Sequence, residues 1–207
     1  MRFDAEQRFD AEVDHLLGLF TDPDFYATLT DLPKISTPEL LDHRTAGGRI
    51  HISYRQRYTG DLPAAAKSMI DVDKISWIEE LSFDLGSRTA ETQLKPDHYA
   101  DRFSCHGRYT FRDLGRGRAS RRLDGDLRIR VPLVGGRVES ALVSGLKEHA
   151  DAERELIEER LLAAQAILAR VDAKRGKDAK HKNGKAAKGS KAKKATSAKS
   201  GKPDKKS

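Results

Sequence analysis

From Arg2 to Asp10 the chain alternates. Phe3, Ala5, Gln7 and Phe9 fall on one side, and Arg2, Asp4, Glu6, Arg8 and Asp10 on the other. A period of two with one charged face predicts a half-buried strand. The period then changes. Val13, Leu16, Leu17 and Phe20 recur at helical spacing within Ala11–Phe20, and Thr21-Asp22-Pro23 stops that helix. Asp22 can cap, and Pro23 can start, a second short helix over Pro23–Asp31 carrying Phe25, Tyr26 and Leu29.

Between about Ile35 and Leu133 strand-like alternation takes over. Ile50, Ile52, Tyr54, Gln56 and Tyr58 share one face, opposite His51, Ser53, Arg55 and Arg57. Ile75, Trp77, Glu79, Leu81, Phe83 and Leu85 form a second such face. Phe103, Cys105, Tyr109 and Phe111 form a third, and Leu123, Leu127, Ile129 and Val131 a fourth. Leu40–Ala46 and Arg88–Leu94 read as weaker strands. Gly47-Gly48, Gly60-Asp61, Gly86-Ser87, Lys95-Pro96-Asp97 and Gly115-Arg116-Gly117 supply the turns. Consecutive strands with short turns and one apolar face predict a curved antiparallel meander.

Pro132 and Gly135-Gly136 end the sheet pattern. A long amphipathic helix is then expected from about Val138 to Val171. Its stripe is Val138, Leu142, Leu146, Leu156, Ile157, Leu161, Ala164, Ile167, Leu168 and Val171. The overall reading is an α+β, helix-grip arrangement: about seven antiparallel strands wrapped around a long C-terminal helix, with two short helices after the first strand.

Several segments carry a family likeness. They are Arg2–Phe9, Tyr58-Thr59-Gly60-Asp61-Leu62-Pro63, Ile75–Leu85 with Trp77, and above all Val131-Pro132-Leu133-Val134-Gly135-Gly136-Arg137-Val138-Glu139. Over roughly residues 1–165 the chain resembles an uncharacterised branch of the START/polyketide-cyclase-like (SRPBCC) superfamily. The resemblance implies a curved sheet gripping a helix with an apolar cavity between them. It implies no single activity, because members of the superfamily carry lipids, bind hormones, cyclise polyketides or regulate chaperones. Function argued from fold alone is analogy.

Charge divides the chain in two. Of 39 Lys and Arg and 32 Asp and Glu, residues 174–207 hold 14 and 2. The tail therefore carries +12, and the remainder, with 25 basic and 30 acidic groups, carries −5. The tail has no aromatic or branched aliphatic residue and is expected to be disordered. The domain expectation is a START/SRPBCC-like domain over 1–172 and a basic Lys/Ala/Gly/Ser-rich tail over 173–207. Within that tail Lys185, Lys188, Lys191, Lys193, Lys194 and Lys199 are candidates for non-specific, salt-sensitive contact with nucleic acid or an anionic surface. The alternative is a solvating tail with no dedicated partner.

The chain contains no apolar run of about 20 residues and no apolar N-terminal stretch, so neither a membrane span nor a signal peptide is expected. Cys105 is the single cysteine, which excludes an internal disulfide and makes a reducing, cytoplasmic setting the expectation. No G-x-S-x-G, Walker A, Rossmann or H-E-x-x-H motif is present. Gly115-Arg116-Gly117 sits between strands and reads as a hairpin turn. Neither a metal site nor a cofactor is indicated, and oligomeric state is left open.

The informative positions are polar groups on faces that the pattern makes apolar. Gln7, Tyr54, Gln56, Tyr58, Glu79, Tyr109 and Arg121 lie on such faces, with Trp77 beside them. His149 and Glu153 interrupt the helix stripe four residues apart, close enough to touch. Tyr54, Gln56, Tyr58, Trp77, Glu79, Tyr109, Arg121, His149 and Glu153 are the candidate lining of a cavity between sheet and helix, since pockets combine an apolar wall with a few placed polar groups. Plainer readings stand beside this one: His149–Glu153 as a helix-edge pair, Glu79–Arg121 as a structural ion pair, the tyrosines as core. Three functions follow. The first is non-enzymatic binding or transport of a small hydrophobic molecule or lipid. The second is an enzyme acting on an apolar or polyketide-like molecule with His149, Glu153, Glu79 and a tyrosine as acid–base groups. The third is an interaction protein tethered by its tail.

Overall fold

The structure, a computed structural model, describes residues 1–163 and residue 166. The fold lies in the compact unit Met1–Glu159; the second unit, Arg160–Ser207, is described only at residues 160–163 and 166, all helical. The expected domain boundary at 172, the distal part of the predicted helix and the six tail lysines lie outside the described residues.

Seven strands form one antiparallel sheet. They are β1 (Arg2–Phe9), β2 (Glu39–Ala46), β3 (Arg49–Arg57), β4 (Ser76–Asp84), β5 (Thr89–Pro96), β6 (Phe103–Gly115) and β7 (Arg118–Ile129). Their spatial order is β1-β7-β6-β5-β4-β3-β2. β2 to β7 are a meander, and β1 closes onto β7 with Phe3 opposite Gly125 and Gln7 opposite Arg121. Helices α1 (Val13–Thr21) and α2 (Pro23–Tyr26) follow β1, and the one-turn α3 (Ala64–Lys67) lies between β3 and β4. The long helix α4 runs over 135–163.

Alternation does what the pattern requires. On β4, Trp77, Glu79, Leu81 and Phe83 are buried and their neighbours are not. The α1 stripe Val13, Leu16, Leu17 and Phe20 is buried too. Phe20, Phe25, Phe83 and Phe111 pack through edge and tilted contacts with centroids 5.2–6.4 Å apart, forming one end of the core. The other end is a cluster of Ile35, Tyr58, Leu62, Ala66, Ile70, Ile75, Trp77, Val131, Val134 and Val138.

Two glycine positions shape the sheet and its exit. Gly107 and Gly125 face each other across β6–β7, and a Cβ on Gly125 would overlap the Phe3 ring. The missing side chain is what admits Phe3. A Cβ on Gly135 would collide with the Ile129 carbonyl oxygen, so only glycine lets α4 start this close to the end of β7. Ile129 N–H also donates to the Glu139 carboxylate at 2.8 Å, clamping the first turn of α4 to the strand.

Three expectations change. Asp22 caps α2 as predicted, accepting from the Asp24 amide at 3.0 Å, but the helix stops at Tyr26 and not Asp31. Its last turn closes through Thr28→Phe25 and Leu29→Tyr26 backbone bonds, and Asp31 and Lys34 then take left-handed backbone angles that no helix continues through. Helix α4 begins at 135, earlier than Val138, because the Val134 and Val131 carbonyls already accept from Val138 and Gly135. Leu85 does not complete the inward face of β4: the strand ends at Asp84 and Leu85 turns outward.

Candidate functional site

Between the sheet and α4 lies an internal cavity of about 100 Å³. Every strand except β2 contributes to its wall, together with Phe20 of α1, Tyr26 of α2, and Leu146, His149, Ala150 and Glu153 of α4. Most of the wall is carbon, with aromatic faces prominent: Tyr26 and Tyr54 stack at 4.8 Å between centroids. The volume is below the ~300–1,000 Å³ of pockets for drug-sized molecules, and far above the ~10–15 Å³ that one water requires. A smaller, almost wholly apolar recess of about 30 Å³ shares Trp77 as a lining residue with the main cavity.

Two polar groups of different character enter the main cavity. The first is a network. Arg121 Nε donates to Gln7 Oε1 at 2.7 Å, and Arg121 Nη2 donates to the Glu153 carboxylate. Gln7 Nε2 donates to that carboxylate at 3.2 Å and to the Ala150 carbonyl. The guanidinium carbon also lies 3.9 Å from the Phe20 ring centroid and 5.3 Å from that of Tyr109. Sheet and helix are thus joined by a buried ion pair seated on aromatic faces. Burial is the largest influence and works against the Arg121 charge, but the charge and hydrogen bond of Glu153 together with Tyr109 and Tyr26 turn the balance, and the guanidinium is held above its ordinary range.

The second is Glu79. It is buried, its carboxylate accepts from Thr92 Oγ1 at 2.7 Å, and no cation pairs with it among the described residues. Desolvation raises its pKa, hydrogen bonds from Thr92 and Tyr54 counter that, Glu153 adds to the rise and Arg121 reduces it; the balance is upward. One cation faces two buried carboxyls and is held by only one of them. A carboxyl in that position keeps its proton more readily, and when protonated it donates as well as accepts.

His149 Nδ1 sits 3.0 Å from the Pro33 carbonyl. A carbonyl only accepts, so Nδ1 carries the hydrogen, and a neutral ring then keeps Nε2 as an acceptor. Burial pushes the Tyr26, Tyr54 and Tyr109 hydroxyls well up, so they stay protonated donors. The Cys105 thiol is pushed up to about 12, first by burial and then by Glu79. It lines the cavity as an unreactive thiol.

The structure brings together most of the residues picked out by pattern. Tyr54, Gln56, Trp77, Glu79, Tyr109, Arg121, His149 and Glu153 all line the one cavity, though Gln56 turns its amide to the Ser36 carbonyl at 3.3 Å. Tyr58 does not. It packs in the cluster below, with its hydroxyl 3.4 Å from the Asp61 carbonyl, because β3 has run past the cavity by that residue. The pairings also differ from expectation. Arg121 pairs with Glu153, not with Glu79, because β7 faces α4 while Glu79 turns to Thr92 on β5. His149 and Glu153 are no helix-edge pair: both are buried and each bonds to another element. Phe20, Tyr26 and Thr92 are wall residues that the pattern reading does not single out. Among the described residues no group of three or more His, Cys, Asp and Glu side chains could hold a metal ion, and no helix is long and apolar enough to cross a membrane.

A curved seven-stranded antiparallel sheet closed over a long C-terminal helix, with a cavity between, defines a protein of the helix-grip fold. Within that class the chain belongs to the family described as protein of unknown function (DUF2505), whose model matches residues 4–161. A search of curated protein sequences found no match. Among solved structures, TTHA0849 from Thermus thermophilus is similar at 18% identity and TM-score 0.57, covering 79% of this chain and 99% of that one. Norcoclaurine synthase from Thalictrum flavum in complex with dopamine and hydroxybenzaldehyde is similar at 15% identity and TM-score 0.53, covering 77% and 87%. A START superfamily protein from Mycobacterium smegmatis aligns at 14% identity and TM-score 0.49, covering 76% and 97%. At these identities the likeness is one of fold.

Proposed function

We propose that the protein binds a small, mainly apolar molecule, of the size of one aromatic ring, in the cavity between the sheet and α4. The observation that carries this reading is a wall of aromatic and aliphatic side chains interrupted by one carboxyl without a cation, Glu79. The Arg121–Glu153–Gln7 network is internally satisfied and serves to hold α4 on the sheet. Glu79 is the group left to orient a ligand, with Tyr54 beside it. At about 100 Å³ the space suits a monocyclic compound; a lipid acyl chain would require the walls to move apart. The test is native mass spectrometry of gently purified protein before and after organic extraction, with thermal-shift screening against monocyclic phenols and aldehydes. An extractable small adduct and a raised Tm are expected. Absence of any adduct, with no compound raising Tm, would remove the reading.

One observation favours a second reading. Burial makes Glu79 hold its proton longer, as a general acid in such a cavity requires. A Glu79→Gln variant that binds the extracted compound but no longer converts it would establish catalysis; no conversion by the wild-type protein would exclude it.

The segment from 173 onward is assigned to contact with polyanions, a reading supported by its charge alone, which is +12 over residues 174–207. Removing residues 174–207 is expected to abolish salt-sensitive DNA binding without moving the Tm of the domain. DNA binding that survives the deletion would refute the assignment. A reducing, cytoplasmic setting is proposed from the lone cysteine.

A further inference from the structure

Trp77 is the only tryptophan of the chain. It sits on the inward face of β4, two residues before Glu79, and is more than nine-tenths buried. Trp77 is among the residues that line both the main cavity and the apolar recess. Its Nε1–H is fully buried and has no hydrogen-bond acceptor among the described residues. Buried indole N–H groups are ordinarily partnered. Neither cross-strand neighbour bonds to it: Pro96 has no side-chain acceptor, and Gln56, which donates its Nε2–H to the Ser36 carbonyl, makes no hydrogen bond to the indole.

A buried donor left without an acceptor, on a residue that lines a cavity, is what a bound acceptor would satisfy. Resting on the ligand-binding reading above, we infer that Trp77 Nε1–H is a second polar contact of the bound molecule, and that the ligand class is a neutral aryl carbonyl compound. The carbonyl oxygen accepts from the indole. Two residues along a strand are about 7 Å apart, so Trp77 and a protonated Glu79 present two donors spaced along one face. That arrangement selects acceptors over donors, and neutral molecules over anions, which would meet Glu79 and Glu153.

A matched pair of probes tests this. Acetophenone and α-methylstyrene have nearly the same shape and differ in replacing a carbonyl oxygen by a methylene group. In a ¹H–¹⁵N spectrum of the full chain, a single tryptophan gives a single indole cross-peak. Acetophenone is expected to move that peak downfield and to bind roughly fivefold tighter than α-methylstyrene, as one net hydrogen bond implies. The preference should fall to about one in Trp77→Phe, and the wild-type indole shift stands as evidence even if that variant does not fold. If both probes perturb the His149 and Ala150 amides equally and leave the indole peak in place, the inference on Trp77 falls and the cavity still binds. If neither probe perturbs any cavity residue, both readings fall.

Discussion

Replacing Arg121 by methionine removes the cation from a buried pair while keeping a side chain of similar length against Phe20 and Tyr109. The Arg121 and Glu153 side chains are only 9% and 10% exposed. Truncating one partner of such a pair typically costs about 3–5 kcal/mol, because the remaining charge stays buried without compensation. Gln7 also loses the donor to its carbonyl oxygen at 2.7 Å. For a domain of this size, a loss near ~4 kcal/mol corresponds to a fall in Tm of roughly 8–16 °C. Glu153→Met should cost a similar amount by stranding Arg121. The double variant should recover most of the loss and lie within ~1 kcal/mol of the wild-type protein, since apolar replacement of a whole buried pair is often neutral or better. The assay is urea unfolding at neutral pH, repeated near pH 4. In Arg121→Met, Glu153 can be neutralised by protonation, so the deficit should shrink as pH falls. A deficit below ~1 kcal/mol, or a double variant that loses the sum of the two singles, would refute the reasoning that this pair joins α4 to the sheet.

Three further outcomes are expected. The folded Glu79 carboxyl has a raised pKa, so its contribution is complete below its unfolded value and is lost as pH rises through the folded one; Glu79→Gln should therefore match wild type near pH 4 and gain in relative Tm towards pH 8, and a gain that grows towards acid would contradict the assignment. Gly135→Ala should lower Tm, by the ~1–3 kcal/mol of overpacking against the Ile129 carbonyl, while Gly136→Ala, with no atom within 4 Å of the added methyl, should raise it by ~0.5–1 kcal/mol; equal effects at the two positions in thermal unfolding would refute the close approach. The half-buried Cys105 thiol, pushed up to about 12, should react with a thiol-specific disulfide reagent at neutral pH far more slowly than an unperturbed cysteine, and rapid stoichiometric reaction of the folded protein would contradict that shift.

The sheet is legible in the sequence because alternation is a local property. Glu79 and Trp77 are placed inward by their own strand's pattern, and Arg121 by extending the pattern of β7 by one residue. The same holds for the four buried positions of α1. The partners of the inward polar groups are not legible. Arg121 is 114 residues from Gln7 and 32 from Glu153, and His149 is 116 from Pro33. Nothing in the spacing of Glu79 and Arg121 on two non-adjacent strands reveals that α4 will offer Arg121 a nearer carboxylate. His149 and Glu153 do interrupt the stripe, but their i, i+4 spacing points to a mutual pair, whereas each reaches a different element. Val143, buried on α4, escapes the pattern because it falls between Leu142 and Leu146 on the stripe's flank. Glycine at 135 reads as a strand terminator; its close approach to the Ile129 carbonyl depends on where α4 crosses the sheet, which no local pattern contains.

The central claim is that the space between sheet and α4 is a binding site. Isothermal titration of p-cresol into the wild-type protein and into Ala150→Leu tests it most directly. Ala150 lines the cavity from α4, and leucine keeps the helix while filling the void. The account predicts saturable binding to wild type and loss of binding in Ala150→Leu, with an unchanged or higher Tm. Equal affinity in the two proteins would place the site elsewhere and contradict it.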